Sequence, residues 1–129
     1  MTTLVANVTV YGQVPSANNL REHYAVKAKR VRMQRQGIVL AMRASPGMRE
    51  MLEEIKRTPK TTRIVVTLSR LGTRKLDSDN LQGALKAHRD GVADVVGIDD
   101  GSDRYEWIYT QERSPRTGVR VSVSVEVTQ

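Results

Sequence analysis

The chain has 129 residues, no cysteine and a formal net charge of +7. That length suits one domain spanning residues 1–129 and leaves no room for two ordinary ones. Without thiols there can be no disulfide, zinc–thiolate site or cysteine nucleophile, and no apolar run approaches the roughly 18 residues that a membrane span needs. The opening Met1-Thr2-Thr3-Leu4-Val5 stretch lacks the charged and apolar pattern of a secretory leader, so the expected location is cytoplasmic. The charge is unevenly placed. Leu20 to Arg49 holds eight basic residues and one acidic; the rest of the chain holds thirteen of each. The whole excess lies in one segment, which points to a directed surface for a polyanion.

Leu4 to Val14 alternates apolar and polar residues and predicts a strand. Pro15-Ser16 ends it, and Ser16, Asn18 or Asn19 is placed to cap a long helix from about Leu20 to Ala44. Leu20, Tyr24, Val31, Ile38 and Met42 make its expected inward face. Lys27, Lys29, Arg30, Arg32 and Arg35 fall mostly off that stripe, as either a solvated helix surface or a contact surface for phosphates. Ser45-Pro46-Gly47 stops this helix, and a second runs from Gly47 to Arg57 with Met48, Met51, Leu52 and Ile55 inward. Thr62 to Ser69 reads as a strand, and Arg70 to Lys75 as a basic loop containing Arg70, Arg74 and Lys75. Asn80 to Val96 is expected as one central helix, with His88 on its apolar stripe as a core histidine. Arg104 to Gln111 is a strand that puts Tyr105, Trp107 and Tyr109 on one face. Val119 to Val127 is a strand of five alternating valines. The order β-α-α-β-α-β-β, with the last two strands pairing as a hairpin, predicts an α+β fold. Its mostly antiparallel four-stranded sheet carries helices packed on one face.

The chemistry concentrates between Lys75 and Asp103, which holds seven acidic residues in a basic chain. Asp77 and Asp79 form one tight pair, Asp99 and Asp100 another. Carboxylate pairs of this kind suit a hard cation such as Mg²⁺. Turn and capping chemistry accounts for the same residues without a metal. There is no glycine-rich phosphate loop and no Ser-His-Asp order.

Leu76-Asp77-Ser78-Asp79-Asn80, then Lys86 and Asp90, then Asp99-Asp100, resembles the signature of the RusA family of Holliday junction resolvases. Pro15-Ser16-x-Asn18 before a basic helix is similar to the start of many phage-type members. The resemblance covers nearly the whole chain. It implies a homodimeric, Mg²⁺-dependent endonuclease, with Mn²⁺ as the alternative ion, acting on four-way junction DNA in a bacterial cell or nucleoid, often phage-encoded. It further implies Asp77, Asp79 and one of Asp99 or Asp100 as metal-binding acids and Lys86 as the catalytic lysine. The family lysine follows the Asp-Asn pair by about one helical turn; here Gly83 holds that place and Lys86 comes three residues later. The basic helix and the loop with Arg70, Arg74 and Lys75 would hold DNA through phosphates. The competing classes are a catalytically inactive or accessory DNA-binding protein and a basic protein-binding module.

One constraint follows from length. An unbroken helix from Asn80 to Val96 spans about 25 Å, and the three further residues to Asp99 reach back roughly 10 Å at most. Either the helix stops near Gly91, or Asp99 and Asp100 serve the site of a second protomer. Glycine and the β-branched residues after it favour the early stop, while the Leu81-to-Val96 apolar stripe favours the unbroken helix.

Overall fold

The computed structural model describes residues 2–15 and 23–127. The elements are β1 (Thr2–Tyr11), α1 (Tyr24–Ala44), α2 (Pro46–Arg57), β2 (Ile64–Gly72), α3 (Ser78–Ala84), α4 (Lys86–Val96), β3 (Tyr105–Arg113) and β4 (Gly118–Val127). Together they make an α+β fold whose order is the expected one, with the central helix divided in two. Among the described residues, no helix is long and apolar enough to cross a membrane. The expected caps Ser16, Asn18 and Asn19, and the inward Leu20, lie outside the described residues.

The sheet order is β1-β4-β2-β3. β4 pairs antiparallel with both β1 and β2, and β3 pairs parallel with β2. The sheet is thus mixed, and the expected β3–β4 hairpin is not formed. The reason lies in the side chains. Val119, Val121, Val123 and Val125 are almost completely buried, as are Ile64, Val66 and Leu68. These two strands take the centre. β3 carries Glu106, Glu112 and Arg113 and goes to an edge, where charges discourage further pairing. Residues 114–117 carry the chain past the end of β2, where Ser114 N–H donates to the Gly72 carbonyl at 2.9 Å.

One face of the sheet packs against the helices. Ile38 and Met42 of α1 and Met48, Met51 and Ile55 of α2 are buried there, as the helical spacing predicts. Ser45 links these helices; its hydroxyl accepts from Met48 N–H at 3.2 Å and Pro46 follows at the first helical position. Tyr24 departs from the expected inward face. It is 79% exposed and lies against His23, whose ring nitrogen caps α1 by accepting from Ala25 N–H. Tyr24 opens α1, and the ring contact it makes among the described residues is with His23.

The expected central helix is interrupted at Leu85, with φ −101° and ψ 3°. Its N–H is shared between the carbonyls of Leu81 and Gln82, a locally tightened turn. Gly91 does not stop the helix. α4 continues to Val96 and ends at Gly97, whose left-handed φ of 80° is a glycine cap. Gly91 is instead where α4 touches α1. A Cβ there would lie 2.8 Å from the Arg35 carbonyl oxygen and 3.1 Å from Ile38 Cβ. Helix propensity disfavoured this glycine, and close packing of two helices retains it.

His88 is 4% exposed, on the buried side of α4 as its periodicity predicts, and its Nδ1 has no hydrogen-bond partner. Burial holds its pKa down to about 4. In the unfolded chain it titrates near 6.5, so the unfolded state binds the extra proton first. The stability held by neutral His88 is complete above about pH 6.5 and is lost as the pH falls toward 4, up to about 3 kcal/mol. Denaturant unfolding between these pH values should show that slope, and His88→Leu should flatten it. An equal slope in the variant assigns the acid sensitivity to other groups.

Candidate active site

The acid pairs are positioned by β3. Tyr105, Trp107, Tyr109 and Gln111 share one face of that strand, and α3, α4 and the loop after α4 are tied to them in turn.

At one end, Gln111 clamps Leu76. The Leu76 N–H donates to the Gln111 side-chain oxygen at 2.7 Å, and the Gln111 amide donates back to the Leu76 carbonyl at 2.8 Å. This reciprocal pair fixes the backbone entering Asp77. Asp77 stands at the N-cap of α3 with φ −64° and ψ 156°, but its side chain makes no capping bond. Asp79 lies in the first turn, where a negative charge suits the exposed N–H groups of the helix. Both carboxylates are exposed. The capping alternative therefore loses its main contact at Asp77.

At the other end, Arg89 holds Asp100. Its Nε donates to the Asp100 carboxylate at 3.0 Å, one terminal nitrogen to the Asp100 carbonyl at 3.1 Å, and the other to the Tyr109 hydroxyl at 2.8 Å. The guanidinium stacks 4.6 Å from the centre of the Trp107 ring, and the Trp107 N–H donates to the same Asp100 carbonyl at 2.9 Å. Burial works against the Arg89 charge, but Tyr109 and Asp100 outweigh it and hold its pKa above the ordinary arginine value. The Tyr105 hydroxyl donates to the Ile98 carbonyl; burial first, then Asp100, pushes its pKa up. The aromatic face of β3 thus organises the Gly97–Gly101 corner. Arg89 and Gln111 are absent from the acid motif, and the sequence gives only one hint of them: a polar terminus on each of the strand's inward positions.

The two anchors, Trp107 and Gln111, are four residues apart, roughly 13 Å of strand. The Asp77–Asp79 pair and the Asp99–Asp100 pair belong to opposite ends of this face. Among the described residues, no three His, Asp or Glu side chains are gathered so that they could hold one ion. Mg²⁺ commonly takes only one or two carboxylates and completes its shell with water and phosphate oxygens. Asp77 and Asp79 fit that reduced set. The carboxylate of Asp100 is engaged by Arg89, while Asp99 is exposed.

Lys86 opens α4 and is not a continuation of α3. It is exposed and pairs with Asp90 at 3.5 Å. Leu85, with its non-helical backbone, separates Lys86 from Gly83, which belongs to α3. Gly83 itself has open space where a side chain would start. Asp90, Asp94, Asp99 and Asp100 line a hollow of about 300 Å³ together with Arg35.

The expected DNA-binding cations divide into three kinds. Lys27, Lys29 and Arg32 are exposed along α1, with Arg30 half-buried beside Gln34. Arg35 is committed to Asp94 through two bonds of 2.6 and 2.7 Å, which raise its pKa and lower that of Asp94. Arg70 lies inside β2, because the parallel pairing with β3 extends that strand to Gly72 where a loop was expected. It is 9% exposed and donates to the carbonyls of Val14 and Arg74 at 3.0 and 2.7 Å; desolvation lowers its pKa. It shapes the loop rather than reaching into solvent. That loop borders a hollow of about 290 Å³ lined by Arg74, Lys75, Gln111 and Arg113, among others. Arg113 was not singled out by the sequence, since only the parallel β2–β3 register puts it beside Gly72. Gln111 belongs both to this basic hollow and to the clamp that leads into Asp77. In comparisons with known proteins, no family model matches the chain and no curated relative matches it.

Proposed function

We propose that the chain is a Mg²⁺-dependent, structure-specific endonuclease of the RusA type, acting as a homodimer on four-way junction DNA in the bacterial cytoplasm. The observation that carries this reading is the junction at Gln111 between the exposed Asp77–Asp79 pair and the hollow lined by Arg74, Lys75 and Arg113. A phosphodiester held by those cations would bring its oxygens toward the two carboxylates. When bound by Asp77 and Asp79, Mg²⁺ would supply a water of lowered pKa and neutralise phosphate charge. Gln111 keeps the acid pair in register with the basic hollow, and Arg89 fixes the corner from which exposed Asp99 projects. Lys86 carries the cation that the resemblance assigns to catalysis. The direct test is cleavage of a mobile four-way junction with and without Mg²⁺; no cleavage by folded protein sinks the reading.

The second reading, an accessory junction-binding protein, is favoured by the absence of a three-acid cluster among the described residues. It retains salt-sensitive binding without cleavage. Under either reading the exposed cations of α1 supply phosphate contacts. Changing Lys27, Lys29 and Arg32 together to alanine is expected to flatten the plot of log K against log salt by about 2.7, at about 0.9 per lost contact. Fluorescence anisotropy across a salt series measures it, and an unchanged slope returns the face of α1 to simple solvation. Arg35 is excluded from this set because its charge is spent on Asp94.

A further inference from the structure

A hollow of about 390 Å³ lies between residues 10–14, α1 and α4. That volume is in the range of pockets that hold small organic groups. Val10, Val14, Val26 and Met33 make apolar walls. His88 of α4 lines the hollow as well. Its ring is 4% exposed, and its Nδ1 has no hydrogen-bond partner among the described residues. A buried polar nitrogen without a partner is uncommon and calls for an explanation. Burial keeps this ring neutral at ordinary pH, and a neutral imidazole offers one donor and one acceptor.

The charged residues that line the same hollow, among those described, are both cations: exposed Lys29 and half-buried Arg30. Gln34 braces them. Its amide donates to the Gln13 carbonyl at 3.2 Å and its oxygen accepts from Arg30 at 3.5 Å, which ties α1 to the chain after β1. Arg116 lies 3.8 Å over the ring of Tyr11, which borders the hollow too. The site also adjoins the basic hollow beside Gln111. Buried Arg70 donates to the carbonyl of Val14 at 3.0 Å and to that of Arg74 at 2.7 Å, so one guanidinium contacts the walls of both.

We infer that this hollow takes up one unstacked nucleobase of a DNA strand whose phosphates lie against Lys29 and Arg30. The occupant is argued from three matches. The flat apolar faces of a base suit walls of valine and methionine. Its edge carries the donors and acceptors that the His88 ring can meet. Its phosphates complement the two cations, which keep the role already given to α1. A neutral apolar ligand would leave those cations unmatched. Unstacking a base costs least where pairing is already interrupted, so the branch point of a junction is where the base is taken. The inference rests on the DNA-binding part of the proposed function and needs neither metal nor cleavage.

Binding is measured without Mg²⁺, on four-way junctions carrying one abasic nucleotide at each branch-point position in turn. This removes a base and leaves every phosphate. Affinity should fall about tenfold at a single position in the strand and stay unchanged at its neighbours. Val26 and Met33 are 56 and 60% exposed, so Val26→Ser with Met33→Ser strips the walls without altering charge or core. That double variant should bind the intact junction about tenfold more weakly and lose the abasic effect, with circular dichroism confirming its fold. His88→Leu should flatten the parent's preference among the four bases at the sensitive position. The proposal is overturned if the chain binds no DNA, if no abasic position weakens binding, or if the double-serine variant keeps the full abasic effect. It is also overturned if anilinonaphthalene sulfonate fills the hollow in the parent and saturating junction does not displace it, since the hollow then serves another apolar anion. Cleavage with Mg²⁺ but no abasic effect sinks the base site and spares the nuclease; an abasic effect without cleavage does the reverse.

Discussion

Asp77→Asn and Asp79→Asn are each expected to abolish Mg²⁺-dependent junction cleavage while leaving junction binding intact or slightly tighter. Both side chains are exposed, and Asp77 caps α3 by backbone position without a side-chain bond, so the fold has little to lose. Mg²⁺ held by these acids would contribute several kcal/mol to stabilising charge at the reacting phosphate. At 1.36 kcal/mol per factor of ten, losing it slows the reaction by at least about a hundredfold. DNA binding should move the other way, since removing an exposed negative charge reduces repulsion of phosphate. The measurement is a pair of curves on one preparation: single-turnover cleavage with Mg²⁺ and binding without it. A parallel loss of both, in protein whose melting is unchanged, would mean that these acids shape the DNA surface and hold no metal.

Gly118→Ala is expected to be the most damaging single methyl group in the sheet. A Cβ at Gly118 would sit 2.5 Å from the Val10 carbonyl oxygen and 3.0 Å from the Tyr11 Cα. Neither is the flexible end of a side chain, so β1 must move away from β4 at the first pair of their ladder. Overpacking usually costs about 1–3 kcal/mol, and a clash with backbone on this scale belongs at the upper end, about 3 kcal/mol. For a domain of this size that lowers the melting temperature by roughly 10 °C. Thermal melts followed by circular dichroism test it; a shift of only a degree or two would mean that β1 yields at little cost.

Local patterns were readable because their causes are local. The alternation in β1, β2 and β4 and the spacing of Met48, Met51 and Ile55 arise within a few residues of chain, and burial follows them. His88 could be placed in the core for the same reason, since one helical stripe carries it. The acid motif was visible as residue types, but its geometry was not. Asp100 is tied through Arg89 to Tyr109, twenty residues from Arg89 in sequence, and Leu76 is tied to Gln111, thirty-five residues on.

Where the reading failed, a long-range contact decided. Gly91 has poor helix propensity, yet the Arg35 carbonyl needs the space its missing side chain leaves, so α4 runs through it. Leu85 looks like any other position of an apolar stripe, yet its backbone leaves helical geometry and divides α3 from α4. β3 and β4 are close in sequence and invite a hairpin, but the buried valines of β4 are covered on both sides only between β1 and β2. That insertion makes β3 parallel to β2 and buries Arg70 within the longer strand. Spacing along the chain specifies which face of each element is apolar. Which element covers that face depends on the competition among all of them for the centre of one small sheet, and only the assembled fold settles it.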